Sequence, residues 1–229
     1  MELNADFSQR VVVHAAQLPW QSSPMAGVMR RMLDRVGDEV ARATSVVRYA
    51  PGSRFSPHVH TGGEEFFVLD GVFQDEHGDY PAGTYVRNPP QSSHTPGAAD
   101  GCVIFVKLWQ FDSADRTTVV KAMDPAQAVA KASRPGVSVL PLHHDSREEV
   151  RMEVWGANAQ VAWHAEGGAE LFVLDGECRE GNDTLSRHSW LRVPPGGELR
   201  ATAGSSGARV WTKIGGLRNV DVPPQPTTP

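Results

Sequence analysis

The sequence predicts an all-β protein of two tandem barrels, on three observations. The chain repeats itself: Gly-Gly-Glu-Glu-Phe-Phe-Val-Leu-Asp-Gly at 62–71 returns as Gly-Gly-Ala-Glu-Leu-Phe-Val-Leu-Asp-Gly at 167–176, an offset of 105. The same offset pairs Tyr85 with Trp190, Arg87 with Arg192 and Pro89-Pro90 with Pro194-Pro195, so one register holds beyond a single strand. Both halves also consist of short runs rich in β-branched and aromatic residues, broken by Asp-Gly, Pro-Gly and Pro-Pro, which is the pattern of a sandwich or barrel. A length of 229 residues suits two small barrels, each with its own core.

Residues 28–43 read as a hairpin turning at Gly37-Asp38, although Val28, Met32, Leu33, Val36 and Val40 would also share one face of a helix. Asp70-Gly71 and Asp175-Gly176 suit type I′ hairpin turns, which need positive φ at both central residues. Gly78-Asp79, Asn88-Pro89-Pro90 and Asp100-Gly101 mark further corners. Ile-Phe-Val-Lys-Leu at 104–108 returns as Val-Trp-Thr-Lys-Ile at 210–214 with the offset grown by one, the trace of a loop insertion. Asp124 and Pro125 are an N-cap and first helical residue ahead of a helix-favouring stretch at 126–132. The expected division is a first barrel at 1–116 and a second at 117–229, with a linker at 117–135 and a proline-rich tail at 222–229 trailing in solvent.

A net charge of -5, with no Lys/Arg run longer than two, excludes a basic face able to neutralise a phosphate backbone, so nucleic acid is not an expected partner. No apolar run approaches the ~20 residues of a membrane-spanning helix, and membrane is excluded on the same footing. The acidic opening Met-Glu-Leu-Asn-Ala-Asp does not read as a secretory signal, which points to the cytoplasm. Cys102 and Cys178 lie one in each half without a Cys-x-x-Cys pair, and are expected as buried free thiols. Trp109, Trp155 and Trp211 are expected in the cores or between barrels.

Chemistry concentrates in residues 51–64, Pro-Gly-Ser-Arg-Phe-Ser-Pro-His-Val-His-Thr-Gly-Gly-Glu. On an extended strand His58 and His60 share one face while Val59 points away. Gly62 and Gly63 permit a sharp change of direction, after which Glu64 opens the next strand and brings a carboxylate to the same centre. A fourth ligand must come from elsewhere, and His94, just past the proline corner, is the candidate. Glu65 would face the other side of its strand and is expected in an ion pair. Three imidazoles and a carboxylate suit a divalent transition metal such as iron, zinc, manganese, nickel or copper, with positions left open for water, dioxygen or substrate. In the second half the same positions are Trp163, Ala165, Ala169 and Leu199, so that barrel is expected to be metal-free. An improvised site from His164, Glu170 and His188 is the weaker alternative there. Phe66, Tyr85 and Arg87 are candidate cavity residues, as an aromatic wall and a fixed charge for an anionic substrate.

This pattern resembles the cupin superfamily. The first motif is complete as Gly52, five residues, His58, one, His60, three, Glu64, six, Gly71. The second runs Gly83, five, Pro89, one, Gln91, two, His94, three, Ala98, with Gln91 where the family usually has glycine and Ala98 where it usually has asparagine. Residues 47–55 and 78–90, together with Trp-Leu-Arg-Val-Pro-Pro-Gly and Gly-Ala-Arg-Val-Trp-Thr-Lys later on, are similar to the ChrR-type double-barrel cupins. The resemblance implies a bicupin of two double-stranded β-helix (jelly-roll) barrels with one metal at His58, His60, Glu64 and His94.

Two functions are implied by the resemblance. One is a mononuclear non-haem metal dioxygenase of the iron type, acting on a small carbonyl substrate. The other is a stress-sensing regulator related to the ChrR anti-sigma factors, with a sigma factor as partner, although the Cys-x-x-Cys helical zinc domain of those proteins has no counterpart here. A homodimer is a further expectation.

Overall fold

The computed structural model describes residues 1–38 and 40–223. Apart from the single 3-10 turns Ala15–Gln17 and Pro125–Gln127, the regular structure of the described residues is β-strand. None of them forms a helix long and apolar enough to cross a membrane. Residues 224–229, most of the expected tail, lie outside the described part of the chain.

Two compact units are present, but they are not the contiguous halves 1–116 and 117–229. Met1–Ala5 and Pro19–Ala122 belong to the first, Asp6–Leu18 and Met123–Val220 to the second. Strand pairing explains the exchange, since each unit uses a short segment to cover a sheet edge that would otherwise present unpaired backbone groups. Val119–Ala122 adds antiparallel to Thr84–Asn88, while Val11–His14 adds to Ser189–Val193. The stretch expected as a linker is therefore largely built into the units. Asp124 does cap, accepting from the Ala126 amide at 2.9 Å. The chain then leaves helix after one 3-10 turn, and Val129–Ala130 pairs with Val137–His144. Sheet pairing overrides a weak local helix propensity.

In the first unit Val28–Gly37 and Ala41–Tyr49 form the predicted hairpin. The main sheet continues through Cys102–Leu108, Glu64–Asp75 and Thr84–Asn88. The twelve-residue strand Glu64–Asp75 passes straight through Asp70-Gly71, which is therefore not a hairpin turn. The register slips by one residue opposite Val103/Ile104, a bulge that bends the strand, and its far end pairs with Gly78–Pro81. Gly71 serves this bend: its φ is +71°, and an added Cβ would lie 2.3 Å from the Gly101 carbonyl oxygen. Asp175-Gly176 does the same inside Ala169–Glu180, with Gly176 at φ +68° and 2.3 Å from the Gly207 oxygen. The left-handed conformation that Asp-Gly favours is used in a bend within a strand, and the reversals come later, between Asp75 and Gly78 and between Glu180 and Asp183.

Alternation along these strands sorts the side chains. In the first unit Phe66, Val68, Phe73, Tyr80, Val86, Ile104 and Val106 meet in one apolar cluster. In the second, Val161, Ala165, Ala169, Leu171, Val173, Leu185, Leu199 and Val210 fill the interior. Both cysteines are free and buried, as expected.

Candidate metal centre

Antiparallel pairing of His58–Val59 with Ser93–His94 places His58 directly opposite His94. Facing residues of such a pair share a side of the ribbon and carry neighbouring Cβ atoms. His60 lies two residues further along, and the proline corner is stitched to it: His60 N donates to the Ser92 oxygen and Gln91 N to the His60 oxygen, each at 2.9 Å. The three rings consequently meet, with centroids 5.0 Å apart for His58 and His60, 4.9 Å for His58 and His94 and 4.6 Å for His60 and His94. Glu64 closes the group, its Oε2 lying 3.5 Å from His60 Nε2 and 3.6 Å from His94 Nε2. All four residues named from the sequence are brought together.

The electrostatics suit a cation. His60 Nε2 and His94 Nε2 are buried without any hydrogen-bond partner, a cost that coordination of a cation would offset. Burial, and then the neighbouring His58, pushes the His60 imidazole down to about 4. Burial also lowers His94 against the opposing pull of Glu64. Both rings are thereby neutral near pH 7, with lone pairs free to coordinate. Burial raises the Glu64 carboxyl, a shift that a cation beside it would reverse. His58 is exposed and so leaves the group open to solvent.

Tautomers follow from the outer hydrogen bonds. His58 Nδ1 lies 3.2 Å from the Ser56 carbonyl oxygen, and His94 Nδ1 lies 3.1 Å from Asp75 Oδ2. Both acceptors call for a proton on Nδ1, which leaves Nε2 as the ligating atom. Asn88 Nδ2 donates to Glu64 Oε2 at 3.3 Å from the facing position of the adjacent strand. Asp75 and Asn88 escaped the reading of the sequence, although comparison of the halves signals Asn88, whose counterpart is Val193 opposite Ala169.

The glycines of Gly62-Gly63 are fixed by close packing as well as by the turn. A Cβ on Gly62 would lie 2.1 Å from the Trp109 ring, and one on Gly63, at φ +78°, 2.4 Å from the Phe111 ring. Gly63→Ala is expected to cost about 2–3 kcal/mol in chemical denaturation, from the unfavourable φ together with overpacking. Gln91, standing where the family has glycine, occupies φ 73°. Gln91→Gly should relieve that strain and change stability by no more than about 1 kcal/mol, in the stabilising direction, on the same measurement.

The proposed cavity residues divide. Phe66 faces the interior with Glu64. Tyr85 and Arg87 do not: they sit across from Phe67 and Glu65 in the register, on the opposite side of the strand from Glu64. The Tyr85 hydroxyl donates to Glu65 Oε1 at 2.5 Å, and Arg87 pairs with Asp115 and stacks 4.0 Å over the Phe111 ring. The period of two that puts Glu64 inward puts odd-numbered Glu65, Tyr85 and Arg87 outward together. Glu65 faces away from the centre as expected, where it accepts the hydrogen bond of the Tyr85 hydroxyl.

In the second unit Ala165, Ala169 and Leu199 are buried in the apolar interior with Trp163 packed against them. His164 is exposed, Glu170 accepts from the Trp190 indole at 3.2 Å, and the His188 ring stacks on Phe172. Among the described residues those three do not form a metal-binding group.

Residues 8–112 match the family model of the ChrR cupin-like domain. No curated protein sequence matches the chain. Among solved structures, a candidate dioxygenase from Nostoc punctiforme PCC 73102 is similar at 14% identity, with a TM-score of 0.70, over 96% of this chain and 88% of that one. The bacterial pirin YhhW of Escherichia coli in complex with nickel(II) is similar at 14% identity and a TM-score of 0.64, over 90% and 98%. A cupin 2 conserved barrel domain protein from Leptotrichia buccalis is similar at 11% identity and a TM-score of 0.61, over 89% and 95%. At these identities the likeness establishes a common fold, that of a two-domain cupin. The chain thus has the cupin fold, and its residues 8–112 are similar to the ChrR cupin-like domain.

Proposed function

We propose that the protein is a mononuclear metal enzyme, an iron-type dioxygenase or a related enzyme acting on a small carbonyl compound, with His58, His60, Glu64 and His94 as ligands of one divalent transition metal. The observation that carries this reading is the pair of buried, unpartnered Nε2 atoms of His60 and His94 converging on the Glu64 carboxylate. The ion would supply Lewis acidity and neighbouring positions for substrate and dioxygen. The chain's own part is to hold two neutral imidazoles in a buried mouth, to fix Glu64 through Asn88, and to keep the approach past His58 open. Phe66, Phe73 and Tyr80 line the interior behind the centre and would exclude water from a bound apolar group. The test is oxygen uptake with diketones and hydroxyketones after loading with iron(II), set beside elemental analysis of the protein as purified. Absence of any turnover across the panel would count against the enzyme reading.

The match of residues 8–112 to the ChrR cupin-like domain favours a second reading, a non-enzymatic stress sensor. Retention of a sigma factor by the purified protein would support it, and a clean negative would dispose of sigma-factor binding.

A further inference from the structure

One carboxylate reaches the centre from behind. Asp75 Oδ2 lies 3.1 Å from His94 Nδ1, while Asp75 Oδ1 accepts from the Tyr80 hydroxyl at 3.2 Å and from the His77 and Gly78 amides at 2.8 and 3.2 Å. Both oxygens are engaged, and the carboxylate is tied to the backbone of its own turn.

The repeat supplies an internal comparison. At the offset of 105, Asp75, Tyr80 and His94 become Glu180, Leu185 and Leu199. Leu185 and Leu199 are buried in the apolar interior of the second unit, and Glu180 turns to Arg10, whose Nε lies 3.1 Å away. The reversal nevertheless persists there, with Glu180 opposite Asp183 as Asp75 is opposite Gly78. Closing the turn therefore needs neither the phenol nor the imidazole. The set of carboxylate, phenol and imidazole occurs together in the unit with the candidate metal centre; in the other the phenol and imidazole are both replaced by leucine, and the carboxylate that remains is turned to Arg10.

We infer that Asp75 is a positioning residue of the metal centre, holding His94 in the Nδ1–H tautomer with Nε2 aimed at His58, His60 and Glu64, and that Tyr80 holds Asp75 in turn. This rests on the reading of those four residues as ligands. A carboxylate behind a ligating imidazole fixes the ring's orientation and makes the opposite nitrogen a better donor.

The experiment is nickel(II) binding by chelator competition for the full chain and for D75N, Y80F and H94A, with long-range proton–nitrogen spectra of the histidine rings in the metal-free proteins. Asparagine keeps an acceptor for the His77 and Gly78 amides, and phenylalanine removes only the Tyr80 hydroxyl, so both variants should fold. D75N is expected to weaken nickel(II) by about 10–100-fold and to convert His94 from the single Nδ1–H tautomer to a mixture. Y80F should move both readouts the same way by less. Wild-type affinity and an unchanged His94 tautomer in D75N, beside weakened binding in H94A, would overturn the inference while leaving the metal reading intact. A wild-type chain that binds no nickel(II), zinc(II) or iron(II) would overturn both.

Discussion

Replacing His58 and His60 together by alanine should weaken metal binding by more than about 100-fold, since loss of a group that merely supports a ligand already costs about 10–100-fold. Metal analysis after gel filtration, with chelator competition for the residual affinity, measures it; a double variant retaining its ion undiminished would remove these residues from the ligand set. Acid gives the complementary result. The His60 imidazole lies at about 4 rather than 6.5 because of burial and then the nearby His58. Between those values the unfolded chain binds a proton that the folded chain refuses. The metal-free protein therefore loses stability as pH falls from about 6.5 towards 4, by up to roughly 3 kcal/mol from this group. The loss is complete below the lower value, and His60→Ala should lack that component. Protons compete with the metal for the same nitrogen, so burial should carry release of the ion below the pH 6.5 of an ordinary imidazole, towards 4.

The repeat and the ligand spacing were legible because each rests on a rule with a single outcome. A period of two in a strand puts His58 and His60 on one face whatever surrounds them, and the repeat register identifies Trp163, Ala165, Ala169 and Leu199 as an interior without ligands. The same period could have removed Tyr85 and Arg87 from the cavity, since Glu65 was already read as facing away and Tyr85 bonds to it. Asp-Gly at 70–71 and 175–176 was misplaced for a different reason. Positive φ is a local property shared by hairpin turns and bulges, and only the partner strands, Cys102–Leu108 and Gly197–Ile214, distinguish the two. The exchange of residues 6–18 and 117–122 between units was illegible because an edge strand of four residues carries little pattern of its own. Asp75 was missed because its partner His94 lies nineteen residues away, on a different strand.

In the second unit Glu153→Ala should have the largest effect on stability, a loss of about 3–5 kcal/mol. Glu153 is fully buried. Its carboxylate accepts from the Arg134 guanidinium at 2.8 and 2.7 Å and from the Trp155 indole at 2.6 Å, and forms an ion pair with Arg151, whose Nε lies 2.6 Å away. Both guanidinium groups also flank the Trp163 ring, at 5.2 and 5.8 Å from its centroid, and Trp163 is the residue that replaces His58. Alanine would leave Arg134 against the aromatic wall without this carboxylate and Arg151 with Glu149 alone, at 2.9 Å, and the penalty is chiefly the charge left uncompensated. Glu153→Gln keeps the volume and one acceptor oxygen and should cost less. Denaturant unfolding followed by near-ultraviolet circular dichroism measures both, and an alanine variant with the wild-type midpoint would show that the charged cluster contributes nothing. Burial pushes the Glu153 carboxyl up, but Arg134, Arg151 and Trp155 outweigh it and hold it below the ordinary value. The unfolded chain thus takes up this proton first on acidification. The cluster's contribution is fully present above the ordinary carboxylate range and declines as pH falls through the folded value. Acid therefore weakens both units by different routes: protonation of a neutral imidazole in the first, and discharge of a paired carboxylate at lower pH in the second.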